Sequence, residues 1–347
     1  MRSLLLPLAL LAGCATVPAP TPAPTPSATL PTAVVTASGE TAAVATANAD
    51  AADDPAVWRN AADPAASLII GTDKKAGLYV YGLDGKVRDF SDAGRVNNVD
   101  VANHKGRAIV AASDRNDNAS AHVALFGLDP ATAKLTVLGR VPAGAGEAYG
   151  LCLYAAPDAL YAFVVLKDGT INQLALDLSG PAPSARIVRT MKLGTQSEGC
   201  VVDPRTRRLY VAEEDVGLWR FDARAGGATT PVKIAAADGR EIVADAEGVA
   251  IAAEGRGNGG YLVVSSQGDN AYAVYRLSDD RYVGRFRIGA GAFGATSETD
   301  GIEIATGNFG PQFPGGLMIA QDGDNAPAAQ NFKLVDWRKV KAALGLR

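Results

Sequence analysis

Gln196-Ser197-Glu198-Gly199-Cys200-Val201-Val202 returns 49 residues later as Asp245-Ala246-Glu247-Gly248-Val249-Ala250-Ile251. Each copy sets an acid and a glycine ahead of a short apolar strand. Outward from this pair, comparable openings stand at Asp54, Asp100, Tyr149, Glu198, Glu247 and Asp300, separated by 46, 49, 49, 49 and 53 residues. A spacing of this size without helical periodicity suits a four-stranded propeller blade, which takes about 40–50 residues. Six openings therefore predict an all-β chain, a six-bladed β-propeller with four-stranded antiparallel blades around a central channel.

Each opening is followed by a second apolar strand, such as Leu68-Ile69-Ile70 or Leu209-Tyr210-Val211, and then by a third, as in residues 78–81 and 218–221. Turns such as Leu83-Asp84-Gly85 and Leu128-Asp129-Pro130 carry residues suited to tight hairpins. The last blade runs out of chain after Trp337. We expect residues 33–45, rich in Val, Thr and Ala, to supply its missing strand and close the ring. Residues 340–346 read as a short helix capping the lower face.

The chain begins with Met1, Arg2 and an apolar run over residues 4–11, too short to span a bilayer but suited to a secretory signal. It ends at Leu11-Ala12-Gly13-Cys14, which resembles a bacterial lipoprotein cleavage site. We expect a signal peptide over residues 1–13, lipidation of Cys14, a Pro/Thr/Ala-rich tether over 14–32 that cannot bury a core, and the propeller over 33–347. Ala15 rather than Asp after the cysteine points to the outer membrane, on its periplasmic or cell-surface face. Charged residues make up 20% of the chain, 37 acidic against 33 basic, a balance that advertises neither nucleic acid nor an anionic membrane surface. Contact with a membrane is expected only through the lipid, and the folded part is expected to be a monomer. Beyond Cys14 only Cys152 and Cys200 remain, too few for a disulfide framework. Counted along alternating strands, the two fall on opposite faces, which argues against a bridge.

The innermost strand of a propeller blade lies along the axis, so the six opening residues should converge at one mouth of the channel. Five are carboxylates, which repel one another and resist ionising unless a hard divalent cation supplies opposing charge. Calcium is the cation this set suits, with further oxygens from Asp53, the Pro55 carbonyl, Asn97, Asn98 and Asp245. Turn capping is the plainer explanation of an acid at a strand end, but it favours Asp, and these positions mix Asp with Glu. The second strands end beside the same mouth. Blades one to three bring Lys74, Lys75, Arg115 and Lys167 there, and blades four to six bring Glu214, Gln267 and Asp322. A basic half facing a metal-bearing acidic half fits a phosphate ester, whose oxygens Lys and Arg hold while a metal makes water nucleophilic. His104 and His122 have no zinc-ligand spacing, and Arg205 stands five residues after Cys200, one short of a phosphatase thiolate loop.

Taken together, Ala52-Asp53-Asp54-Pro55-Ala56-Val57-Trp58, Asp73-Lys74-Lys75-Ala76-Gly77-Leu78, Asn97-Asn98-Val99-Asp100, Glu147-Ala148-Tyr149-Gly150, Gln196-Ser197-Glu198-Gly199, Ala212-Glu213-Glu214-Asp215, Asp245-Ala246-Glu247-Gly248, Ser266-Gln267-Gly268 and Thr299-Asp300-Gly301 resemble the bacterial, calcium-dependent β-propeller phytases. The resemblance spans all six blades. It implies release of phosphate from myo-inositol hexakisphosphate with several calcium ions at the channel mouth. It implies that Asp54, Glu198, Glu214, Asp245, Glu247, Gln267 and Asp300 face calcium, that Lys74, Arg115, Tyr149 and Lys167 contact phosphate, and that Lys75 stands close by. Two departures are Asp114, where the family commonly has Asn before the Arg, and Trp58-Arg59-Asn60, where it often has His-Pro after the Trp. Two other classes of function share the fold. A calcium-bearing lactonase-like hydrolase has no use for four cations, and a non-catalytic surface module presenting a calcium-stabilised face would release no phosphate.

Overall fold

The computed structural model describes residues 28–347. The expected signal segment, Cys14 and the first part of the tether lie outside these residues. Six sheets are arranged around one axis, and their innermost strands are Ala52–Trp58, Val96–His104, Ala148–Ala155, Ser197–Asp203, Ala246–Glu254 and Ile302–Thr306. In blades one to four the strands step outward in chain order as antiparallel neighbours. The six-bladed propeller expected from the spacing of the openings is the fold observed.

Apolar side chains fill the spaces between blades, because every sheet buries both faces. Ile109, Leu125, Leu151 and Val164 share one such layer between blades two and three. Cys152, Phe163, Leu209 and Val211 share the next, between blades three and four. Within that layer Cys152 and Cys200 form a disulfide, with Cα atoms 5.7 Å apart. This corrects the expectation of unpaired thiols. Adjacent blades stack face to face, so a residue on the leading face of one meets the trailing face of the next. Opposite faces are therefore the condition for a bridge between blades.

Ring closure follows the expectation for residues 33–45. Gly39–Glu40 pairs antiparallel with Asn331–Asp336 as the outer strand of blade six. Glu40 reaches the fully buried Lys333 at 2.6 Å, an ion pair that also draws in Asp322 at 3.1 Å. Just before it, Ala33–Thr36 adds a fifth strand, parallel, to the edge of blade five. One segment thus ties two neighbouring blades. The C-terminal helix runs over Trp337–Leu344, starting three residues earlier than expected. Asp336 caps it by accepting from Arg338 N, and Trp337 and Val340 bury against blades five and six.

Candidate active site

Five of the six innermost strands open with a register shift against their second strands. The shifts fall between Ala52 and Pro55, Val96 and Val99, Ala148 and Gly150, Ser197 and Cys200, and Ala246 and Val249. A bulge of this kind breaks the two-residue alternation and re-aims the side chains within it. The residue after each small first residue turns to the mouth, which gives Asp53, Asn97, Tyr149, Glu198, Glu247 and, in blade six, Asp300. The next position is pressed against the neighbouring blade. A Cβ on Gly199 would lie 2.3 Å from the Glu247 carbonyl oxygen, and one on Gly248 would lie 2.5 Å from that of Asp300. This crowding explains the glycine that follows the acid in the repeat.

Two expected openings are thereby corrected. Asp54 occupies the crowded position, where its Oδ2 accepts from Val99 N of blade two at 3.0 Å. Asp100 lies deeper still, accepting from Val101 N at 2.6 Å and Leu153 N at 2.7 Å. With Glu303 they line a cavity of about 310 Å³ towards the far ends of the innermost strands. Burial raises the carboxyl of Asp54 well above the usual range and that of Asp100 to about 6. The signal for Asp53 was present in the sequence: Ala52, Ala148, Ser197 and Ala246 each put a small residue directly before the mouth position.

The second strands deliver Lys74, Arg115, Lys167, Glu214, Gln267 and Gly323. All six donate their backbone N–H to a carbonyl at the head of their own blade, over 2.6–3.1 Å. Asp322, expected here, sits one residue earlier, where it accepts from Ser297 N at 3.2 Å and pairs with Lys333. Lys75 is exposed on the rim. Asp114 turns to Asn116 N and Arg140, at 3.0 and 3.1 Å.

On the acidic side Glu198, Glu214 and Glu247 are buried, with one oxygen of each lying within 4.8 Å of the others. Asn97 donates to Glu198 at 2.8 Å, Gln196 to Glu214 at 2.7 Å, and Gln267 to Asp300 at 2.6 Å. Asp245 stands half-buried at the rim beside Glu214 and Asp215. Asp53 is 1% exposed, and among the described residues neither of its oxygens accepts a hydrogen bond; Glu247 Oε2 is likewise without a donor. Burial, reinforced by the neighbouring acids, raises Asp53, Glu198 and Glu247 above the usual carboxylate range and pushes Glu214 and Asp300 up to about 7. Buried carboxylate oxygens short of donors could hold a hard, oxygen-binding cation, and the residues present fit calcium.

On the basic side Lys74 lies 2.8 Å from Asp300, 2.7 Å from Asp50 and 3.5 Å from Asp53. Burial alone would lower its pKa, but Asp53, Asp300 and Asp50 outweigh that and raise it, so the ammonium stays charged. Arg115 is held by Asn97 and by Glu147, the latter at 2.7 Å, and its Nε has no partner among the described residues. The guanidinium of Arg115 and the ammonium of Lys167 lie 5.5 and 4.9 Å from the centre of the Tyr149 ring. Burial, then Glu198, Glu247 and Glu214, raise the Tyr149 hydroxyl, which keeps its proton and can donate. Glu147 and Gln196, each at the head of its blade, were given no role by the sequence reading.

A family model described as Phytase matches residues 5–347. The 3-phytase of Bacillus subtilis (strain 168) is 38% identical over 329 residues, covering 90% of this chain and 85% of the relative.

Proposed function

The chain belongs to the β-propeller phytase family and is a phosphoric monoester hydrolase acting on phytate, and from that premise we propose how its channel mouth divides the work. Asp53, Glu198, Glu214, Glu247 and Asp300 hold several calcium ions, with Asp245 and Gln267 completing the shell at the rim and Asp54 lying deeper in the channel. Lys74, Arg115, Lys167 and Tyr149 hold substrate phosphates, with Lys75 adding charge at the entrance. The observation that carries this reading is that buried oxygens of Asp53 and Glu247 accept no hydrogen bond among the described residues, in a mouth that also holds Lys74, Arg115 and Lys167.

When bound, calcium supplies charge that neutralises the phosphate and acidifies water beside it. The chain's own residues do the rest. Asp50, whose side chain is 67% exposed, is the partner of Lys74 that an arriving phosphate displaces most easily. Arg115 arrives oriented by Asn97 and Glu147, and the ring of Tyr149 fixes the spacing between Arg115 and Lys167. The Tyr149 hydroxyl donates to a phosphate oxygen without surrendering its proton. Phosphate release from inositol hexakisphosphate, measured in excess chelator and again with calcium restored, tests the proposal; equal rates would refute the metal half of it.

We further propose that residues 1–13 are a secretory signal and that the protein works as a monomer anchored through Cys14 at the outer membrane. Cys14→Ala should release it from membranes with unchanged specific activity. Wild-type protein recovered wholly in the soluble periplasmic fraction would contradict the anchor.

A further inference from the structure

The basic and acidic halves of the mouth meet at two seams, and the structure bridges them differently. Between blades six and one, Lys74 reaches Asp300 as a direct ion pair at 2.8 Å. Between blades three and four no ion pair joins Lys167 to Glu214 among the described residues. The amide of Gln196 spans that gap instead. Its Nε2 donates to Glu214 Oε1 at 2.7 Å and lies 3.4 Å from the Tyr149 hydroxyl.

The corner carrying Gln196 is built to hold it still. It joins the outer strand of blade three, Ser184–Lys192, to the innermost strand of blade four, Ser197–Asp203. Glu213, 2% exposed, gathers this corner: its Oε1 accepts from Gly194 N at 2.9 Å and from both the backbone N and the hydroxyl of Thr195 at 2.8 Å. Its Oε2 accepts from Trp219 Nε1 at 2.7 Å. The backbone carbonyl of Gln196 then takes the N–H of Glu214 at 3.1 Å, so main chain and side chain address the same acid.

We propose that Gln196 is a positioning residue for the reaction, holding Glu214 through Oε1 in place beside Glu198 and Glu247, and joining that acid to Tyr149 on the phosphate side. The proposal rests on the calcium reading of the mouth given above. An amide suits this place because it orients an acid without changing the charge of the site. A carboxylate at position 196 would add a further negative charge against Glu214. Groups that orient a metal ligand in this way change metal affinity by about 10–100-fold when removed.

The test is a calcium titration of the chelated full-length protein, read as the calcium concentration that gives half of the thermal stabilisation and repeated as phytate hydrolysis. Gln196→Met keeps the length of the side chain and removes its donor. It should raise the half-stabilising calcium about tenfold, with the melting temperature in chelator unchanged, and the calcium that gives half-maximal hydrolysis should rise with it. Glu247→Gln is the reference, since it removes a carboxylate oxygen outright. If Glu247→Gln shifts the titration while Gln196→Met and Gln196→Ala both leave it at wild type, the positioning role is refuted and the calcium reading stands. If Glu247→Gln shifts nothing either, the calcium reading is what fails, and the role of Gln196 falls with it. A fall of Gln196→Met in chelator alone, with an unmoved calcium midpoint, makes the residue purely structural and also overturns the proposal.

Discussion

Glu213 and Glu214 are neighbours in the chain, and the fold serves them in opposite ways. Glu213 accepts four hydrogen bonds, from Gly194 N, Thr195 N, Thr195 Oγ1 and Trp219 Nε1. Among the described residues Glu214 accepts one, from Gln196, and sits among Glu198 and Glu247. The contrast extends around the ring. Asp73, Asp114 and Asp322, at the position of Glu213, each take a backbone N–H from a nearby turn. Asp53 and Glu247 at the mouth carry oxygens with no donor among the described residues. Acids of the first kind cap turns, and those of the second leave oxygens open to a cation beyond the charge that Lys74 brings to Asp53. On this reading capping and cation binding divide neighbouring acids between them, one residue apart.

The largest effect should come from removing the one side chain that serves both sets of charges. Lys74→Met should cost about 1.5–3 kcal/mol in kcat/KM for phytate, the scale of a charged hydrogen bond. Because Lys74 also neutralises Asp53 and Asp300, the same change should tighten calcium binding, seen as a lower half-stabilising concentration. Unchanged hydrolysis at limiting substrate would remove Lys74 from the phosphate site. Glu247→Gln should instead raise the calcium needed for half activity by about 10–100-fold, with partial rescue in excess calcium.

Glu213→Gln sharpens the comparison from the other side. It puts an amide N–H where Glu213 now accepts from other N–H groups, and an unsatisfied buried donor costs about 1–3 kcal/mol. The melting temperature should fall in chelator and stay low when calcium is added. Full rescue by calcium would place Glu213 among the metal-facing acids and erase the distinction.

The period of the blades was legible because acid, glycine and apolar strand recur at near-constant distance, and four-stranded blades followed from it. The mouth was legible in its halves, basic from blades one to three and acidic from four to six, but not in register. A bulge inserts a residue where strict alternation is assumed, so Asp54 stood for Asp53 and Asp100 for Asn97; Asp322 stood one residue short of the position that Gly323 fills. Cys152 and Cys200 were misread for a related reason, since facing surfaces of different blades invert the rule that holds within one sheet. Gln196 lay inside a recognisable motif, yet nothing local in the sequence shows that its amide spans two blades.

A smaller, graded effect concerns pH. Glu214 and Asp300 are raised to about 7 from ordinary values of 4.5 and 3.8. In that window the native state binds more protons than the unfolded chain, so stability falls as pH rises. In excess chelator the melting temperature should therefore decline between about pH 4 and pH 7 from these two groups. Saturating calcium should flatten that decline, because the ion takes the place of the protons. A decline equally steep with and without calcium would show that these acids do not meet the ion.

The most direct measurement is the melting temperature and phytate hydrolysis of one chelated preparation as calcium is returned. A cation that binds only the folded state adds RT ln(1 + [L]/Kd) of stability. The account predicts that the melting temperature climbs with calcium and that phosphate release appears with it. A melting temperature and a rate of phosphate release in excess chelator equal to those in calcium would contradict it.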